Sequence, residues 1–306
     1  MHRKPRWNLG RKIRSKVSVE IEVKTAVAFW ATMNSIFHFW SHLVQNKESF
    51  ARVSKLDKFK FDKNMLSCQN QGVFPDLAVK LNKDQSMFTG GELIEMKDSK
   101  TYSVSSFNST IPTGNKSIRK IITSENSKTF MQMKAVGDDV FSLEEREVYY
   151  LVRGRKKDKQ KICLVHGSFF ETISAKELIR QSFKQVLDEN LAGQDVPAEI
   201  RSQLEEVLAD QEDFSRARNV DQASVKLRFR VMTEVKPEGN ILNSGQYPES
   251  KDDTLNLIVP YHSEDERADV LQKAEFVMGG NTMKDINSFS LKHPLNGWFV
   301  VFQVGL

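Results

Sequence analysis

An α/β fold with a mixed central sheet flanked by helices is predicted by two hydrophobic periods that succeed one another along these 306 residues. Apolar residues recur every three to four positions near the start, which reads as helix, and alternate with polar residues further on, which reads as strand. Later starts of helices are marked by two Ser-x-x-Glu boxes and by a Pro in a first turn.

The first helix runs from about Val19 to Gln45, because Phe29, Met33, Ile36, Trp40 and Leu43 fall at steps of four and three. Trp30 and Phe37 widen that stripe, so the helix is expected to serve the core, with a core and a dimer contact together as the alternative. His38 and His42 fill its surface. The stretch from Thr25 to Val44 carries no charge, yet Asn34, Ser35, His38, Ser41 and His42 interrupt it, so a buried helix is expected rather than a membrane span. Glu20 and Glu22 separate the basic start from that stretch, and no secretory signal peptide is expected.

A Lys-rich connection, Lys55 to Lys63, leads to a strand from Val73 to Leu81, in which Leu77, Val79 and Leu81 alternate with Asp76, Ala78 and Lys80. After a loop with Asn82, Lys83 and Asp84, Gly91 to Lys97 form the next strand. Its period of two puts Leu93, Glu95 and Lys97 on one face and Glu92, Ile94 and Met96 on the other. Glu92 and Asp98 are therefore read as surface residues on the opposite side from Glu95 and Lys97.

From Asp98 to Lys116 the chain is polar and turn-rich, with no visible hydrophobic face. Glu147 to Arg153 and Lys161 to Phe170 then form a hairpin across the basic turn Arg153 to Lys159. Ser174 with Glu177 opens a helix to about Asn190, Pro197 a second to about Asp210, and Ser263 with Glu266 a third to about Met278, which Gly279 and Gly280 end. Val225 to Lys236 alternates into one apolar and one basic face, and Trp298 to Val304 makes the last strand.

Lys and Arg outnumber Asp and Glu by 45 to 40, a net charge of +5 that is compatible with a polyanionic partner. Arg3, Lys4, Arg6, Arg11, Lys12, Arg14 and Lys16 occur before any acid, as an arm for phosphates or a solvated terminus. Cys68 and Cys163 are the two cysteines and have no His or Cys at metal spacing, so neither a disulfide framework nor a zinc site is expected; a reducing cytoplasm fits. There is no GxxxxGK[ST] loop, so nucleotide hydrolysis is not expected.

Pro75-Asp76 and Glu95-Met96-Lys97 bring two carboxylates and an ammonium onto successive strands. Phosphodiester hydrolysis needs an activated water and neutralisation of charge on the phosphorane, which carboxylate-bound Mg2+ supplies. Asp76 and Glu95, with the carbonyl of Met96, are the expected metal ligands, and Lys97 orients the water or stabilises charge. Without that chemistry, Asp76 belongs to a Pro-Asp turn and Glu95 with Lys97 is an exposed same-face pair. Glu20, Glu22 and Glu48 are weighed as outer ligands from the first helix or its end.

These residues resemble the PD-(D/E)xK nuclease motif of type II restriction endonucleases and of some repair and recombination nucleases, over about Val73 to Phe170. The resemblance implies a restriction-endonuclease-like αβββαβ core, metal-dependent cleavage of double-stranded DNA, and catalytic roles for Asp76, Glu95 and Lys97. One elaborated domain over 1–306 is expected: a basic arm and helix in 1–70, the catalytic core in 71–170, and sheet-completing and DNA-contacting elements in 171–306.

The expected DNA contacts are Ser105, Ser106, Asn108, Ser109 and Thr110, with Asn108 at a base edge, and the cations Lys116, Arg119, Lys120, Arg153, Arg155, Lys226, Arg228 and Arg230 at phosphates. A homodimer that cuts both strands of a symmetric site is expected, with a cognate DNA methyltransferase in the same system but no stable complex with it. The alternatives are a repair, resolvase or transposition nuclease of the same fold, and a non-catalytic DNA-binding protein.

Overall fold

The computed structural model describes residues 35–81, 90–104, 106–108, 111–171, 175–209 and 232–306. The basic arm, the helix before residue 35 with Phe29, Trp30 and Met33, and Glu20 and Glu22 lie outside the described residues. So do Asn82 to Asp84, Ser105, Ser109, Thr110, Ser174, Lys226, Arg228 and Arg230.

A mixed sheet flanked by helices organises the rest. It begins with an antiparallel meander of β1 (Leu66–Gln69), β2 (Leu77–Val79) and β3 (Leu93–Ser99). β6 (Glu145–Lys156) lies parallel to β3, which requires a crossover. That crossover carries β4 (Ser106–Asn108), β5 (Asn115–Ser117), α3 (Ile118–Ile121) and α4 (Lys128–Ala135). β7 (Lys159–His166) closes a hairpin on β6, and β9 (Thr254–Tyr261) is again parallel, to β7. β11 (Gly297–Gly305) and β10 (Asn287–His293) finish the sheet as an antiparallel pair beyond β9.

The alternation of side chains divides the core into two layers. One face carries Leu77, Val79, Ile94, Tyr149, Leu151, Leu257 and Phe302 and is covered by α1 (35–45), the short α2 (Lys47–Arg52) that follows it, and α7 (Glu264–Met283). Phe37 and Trp40 of α1 lie 5.8 and 6.1 Å from the ring of Phe302. Phe37 is fully buried there, as the core reading of this helix expects. His42 is half-buried against Phe59, at 5.8 Å, instead of lying on the helix surface. The other face carries Ala78, Leu93, Val148, Tyr150, Val152 and Val165, under α3, α4 and the segment around Val104 and Phe107.

That second layer corrects the reading of residues 98–116 as free of apolar anchors. Val104, Phe107 and Ile111 are buried, and β4 pairs with β8 (Met232–Glu234) to form a separate two-stranded ribbon. Polar neighbours had masked one buried aromatic ring. β6 and β7 extend through Arg153 to Lys156, so the basic turn shrinks to Lys157 and Asp158, with Lys157 at φ 56°.

Two helices, α5 (Ala175–Asn190) and α6 (Ala198–Ala209), pack against one another in the β7 to β9 connection. In α7, Ser263 Oγ caps the helix by accepting from Glu266 N at 3.2 Å, while Glu266 Oε2 reaches one residue past the cap and accepts from His262 N at 2.7 Å. Gly279 interrupts the helix at φ 73°, ψ 149°, after which one further turn runs to Met283. No helix among the described residues is long and apolar enough to cross a membrane.

Candidate active site

β2 is shorter than β3, and the difference creates the site. Leu77 pairs with Ile94 and Ala78 with Leu93, while Val79 N donates to Glu92 O at 2.8 Å. The peptide groups of residues 92, 94 and 96 therefore face β2, but β2 ends before it can reach Met96. Asp76 fills the vacancy: its Oδ2 accepts the Met96 N–H at 2.8 Å. In a strand the N–H and C=O of one residue point the same way, so the Met96 carbonyl shares the Asp76 side. Behind Asp76, its own carbonyl accepts from Asn70 N at 2.8 Å, and Asn70 Nδ2 donates to Thr129 Oγ1 at 2.8 Å. The acid is thus fixed on both sides.

Glu95 and Lys97 share a sheet face with Leu93, and Asp76 shares it with Ala78. Glu95 is 8% exposed and pairs in register with Tyr150; Lys97 pairs with Val152. Lys97 Nζ donates to Glu95 Oε1 at 2.9 Å and stands 5.7 Å from the ring centroid of Phe107. Phe107 in turn meets Tyr150 edge-on at 4.8 Å and Phe170 at 5.1 Å. The ammonium is thereby held between a carboxylate and an aromatic face.

Burial pushes the Asp76 carboxyl up to about 6, and the charge of Glu95 adds to the rise. The Met96 amide and Lys97 oppose it, and Asp57 raises it further. Asp57 was not singled out from sequence. It sits in a 3-10 turn (Leu56–Lys58) that packs against β3, and one of its carboxylate oxygens is buried with no hydrogen-bond partner. An acid inside a Lys- and Phe-rich stretch carries no periodic signal, since its role depends on where the turn docks. Glu48, by contrast, is an exposed residue paired with Arg52.

Parity puts Glu92 and Asp98 on the opposite side from Glu95; that side is interior at Glu92, which is not a surface residue, while Asp98, near the end of the strand, is exposed as expected. Glu92 is 1% exposed and accepts from Ser35 Oγ and, at 3.1 Å, from Ile36 N, anchoring α1. Burial raises its carboxyl to about 7. Asp98 is gripped by Arg153 through Nε at 3.0 Å and Nη2 at 2.6 Å.

Arg153 is correspondingly removed from the expected phosphate contacts, because its side chain is 0% exposed. It also donates to Val53 O at 2.9 Å and Ser54 O at 3.4 Å. Arg155 is one-third exposed and partly engaged with Ser54 O at 3.1 Å. Lys116 donates to Ile111 O at 2.8 Å and lies over Phe74, while the exposed Arg119 stacks on Phe141 at 4.5 Å. Ser106 and Asn108 are on the β4 ribbon, paired with Glu234 and Met232. Cys68 and Cys163 are buried free thiols.

Among the described residues no three His, Cys, Asp or Glu side chains form a ready-made metal cage. The donors present are two carboxylates and a carbonyl, a set that suits Mg2+, which keeps several waters when bound. The raised Asp76 carboxyl and the unpartnered Asp57 oxygen are both features that a cation relieves. Comparison with protein families, curated proteins and solved structures finds no match to this chain.

Proposed function

We propose that this chain is a Mg2+-dependent endonuclease that hydrolyses phosphodiesters in double-stranded DNA, of the site-specific type II restriction kind. The observation that carries the proposal is the bond from Met96 N to Asp76 Oδ2, which holds the acid of one strand beside the Glu95-x-Lys97 pair of the next. The element order supports the PD-(D/E)xK resemblance: a helix, three antiparallel strands, a helical crossover and a parallel strand.

Asp76, Glu95 and the Met96 carbonyl would hold Mg2+, with Asp57 near enough to act on its waters. The bound ion supplies a water of lowered pKa and offsets charge on the phosphorane. Lys97, held by Glu95 and Phe107, orients the attacking water and stabilises the transition state; water attacks phosphorus and one P–O ester bond breaks. Pairing of two copies would place one site on each strand, and a cognate methyltransferase would protect the host site.

The test is incubation of phage DNA with the protein and Mg2+, with an EDTA control. Discrete fragments that vanish with EDTA support the proposal. A smear or cutting confined to junctions points to a repair, resolvase or transposition nuclease, and binding without cutting rejects an enzyme.

A further inference from the structure

Residues 55–63 read Lys-Leu-Asp-Lys-Phe-Lys-Phe-Asp-Lys, and the fold sorts them by character. Leu56, Phe59 and Phe61 are buried, with Phe59 edge-on to Phe50 at 4.8 Å and Phe61 stacked on Phe39 at 5.7 Å. Lys55, Lys58, Lys60 and Lys63 are exposed, and none is joined to an acid by an ion pair among the described residues. Of the two acids of the segment, Asp57 lies within electrostatic reach of Asp76 and Asp62 Oδ1 accepts from Asn64 N at 2.9 Å.

This stretch is tied to the catalytic strand by one buried side chain. Arg153 grips Asp98, the residue after Lys97, and at the same time donates to the carbonyls of Val53 and Ser54, immediately before Lys55. A guanidinium with five donors in a fixed fork is suited to such bridging. The segment that carries the four lysines is thereby joined to the strand of Lys97, and its Asp57 lies within electrostatic reach of Asp76. Unpaired cations on a segment joined to that strand match a ligand with regularly spaced anionic charge.

We propose that Lys55, Lys58, Lys60 and Lys63 form a rail for the phosphate backbone of duplex DNA, positioned beside the catalytic residues by the Arg153–Asp98 clamp. The proposal rests on reading the site as a nuclease. It assigns Arg153 the role of a positioning residue, and moves sequence-independent binding to a segment of the chain in which no phosphate contacts were expected.

The test is fluorescence anisotropy with short labelled duplexes of unrelated sequence, in EDTA so that no cutting occurs, across a salt series. Lys58→Gln/Lys60→Gln is compared with Lys284→Gln/Lys292→Gln, a charge-matched pair of exposed lysines at the C-terminal end of α7 and on the edge strand β10. Each phosphate contact contributes about 0.9 to the slope of log affinity against log salt, so the rail pair should flatten the slope by about 1.8. The loss of affinity between about 50 and 200 mM salt should then shrink roughly tenfold, for every sequence alike. The control pair should keep the wild-type slope. An unchanged slope in the rail pair overturns the rail while wild-type cleavage leaves the nuclease reading standing; a wild-type chain that binds no duplex overturns both.

Discussion

Asp76 and Met96 are joined by a single hydrogen bond of 2.8 Å, from a backbone amide that has no strand partner to a carboxylate that stands where the next strand residue would be. The bond replaces a missing rung of the sheet ladder with the side chain of Asp76. The other carboxylate oxygen of Asp76 takes no part in that bond.

Substitution at this site should therefore separate chemistry from folding. Asp76→Ala and Lys97→Ala are expected to lower the rate of DNA cleavage by on the order of a thousandfold or more. Both variants should remain folded and retain DNA binding in EDTA. Full activity in either, measured by single-turnover digestion, removes that residue from the catalytic set.

Asp57 offers a second, graded test. Asp57→Asn keeps the shape of the turn but removes a negative charge from the neighbourhood of Asp76. Cleavage should then need several-fold more Mg2+ for half-maximal rate, with saturating rates closer to wild type. An unaltered Mg2+ titration excludes Asp57 from the ion's surroundings.

The placing of Glu95 and Lys97 on one face was legible because a strand's period of two fixes it, although burial along β3 does not alternate, with Leu93, Ile94 and Glu95 all buried. β1, β9 and β10 were not legible. β9 is buried on almost its whole length and so lacks alternation, with Asn256 and Pro260 inside it, while β10 is a half-exposed edge strand and β1 spans four residues. Charge misled in a more instructive way. Sequence places Arg153 in a basic run with Arg155, Lys156 and Lys157, but only the packing shows that Asp98 and two carbonyls draw Arg153 inside. Glu92 shows the same limit: period two assigns its face, and only the docking of α1 decides that the face is interior.

Acidity should act on stability in a defined direction. Asp76 rises from an ordinary 3.8 to about 6 and Glu92 from 4.5 to about 7, each chiefly by burial. Their raised values favour the protonated fold, so the contribution is fully present below about pH 4 and is lost as pH climbs through 6 and 7. In EDTA the melting temperature should fall between pH 5 and pH 8, and Glu92→Gln should flatten that fall. Mg2+ should stabilise the wild type more at pH 8 than at pH 5, because an ionised Asp76 is the better ligand. Melting curves insensitive to pH over this span contradict the assignment.

A purely structural pair supplies a contrast. Arg146 is 0% exposed and donates to Asp138 at 2.7 Å and to Val140 O at 2.9 Å, while Asp138 Oδ2 accepts from Leu81 N at 3.2 Å. Asp138→Ala strands a buried guanidinium and should cost about 3–5 kcal/mol of stability in chemical denaturation. The cleavage rate of the fraction that remains folded should be little changed. A loss of rate without a loss of stability places this pair in the catalytic machinery instead.

The most direct measurement is the position of a bound divalent ion, read from the anomalous signal of crystals grown or soaked with Mn2+ in place of Mg2+. A peak about 2.0–2.6 Å from oxygens of both Asp76 and Glu95, lost in Asp76→Ala crystals, is the expected result. An ion elsewhere, or none at these carboxylates at a concentration that supports cleavage, contradicts a metal-dependent site built on Asp76, Glu95 and Lys97.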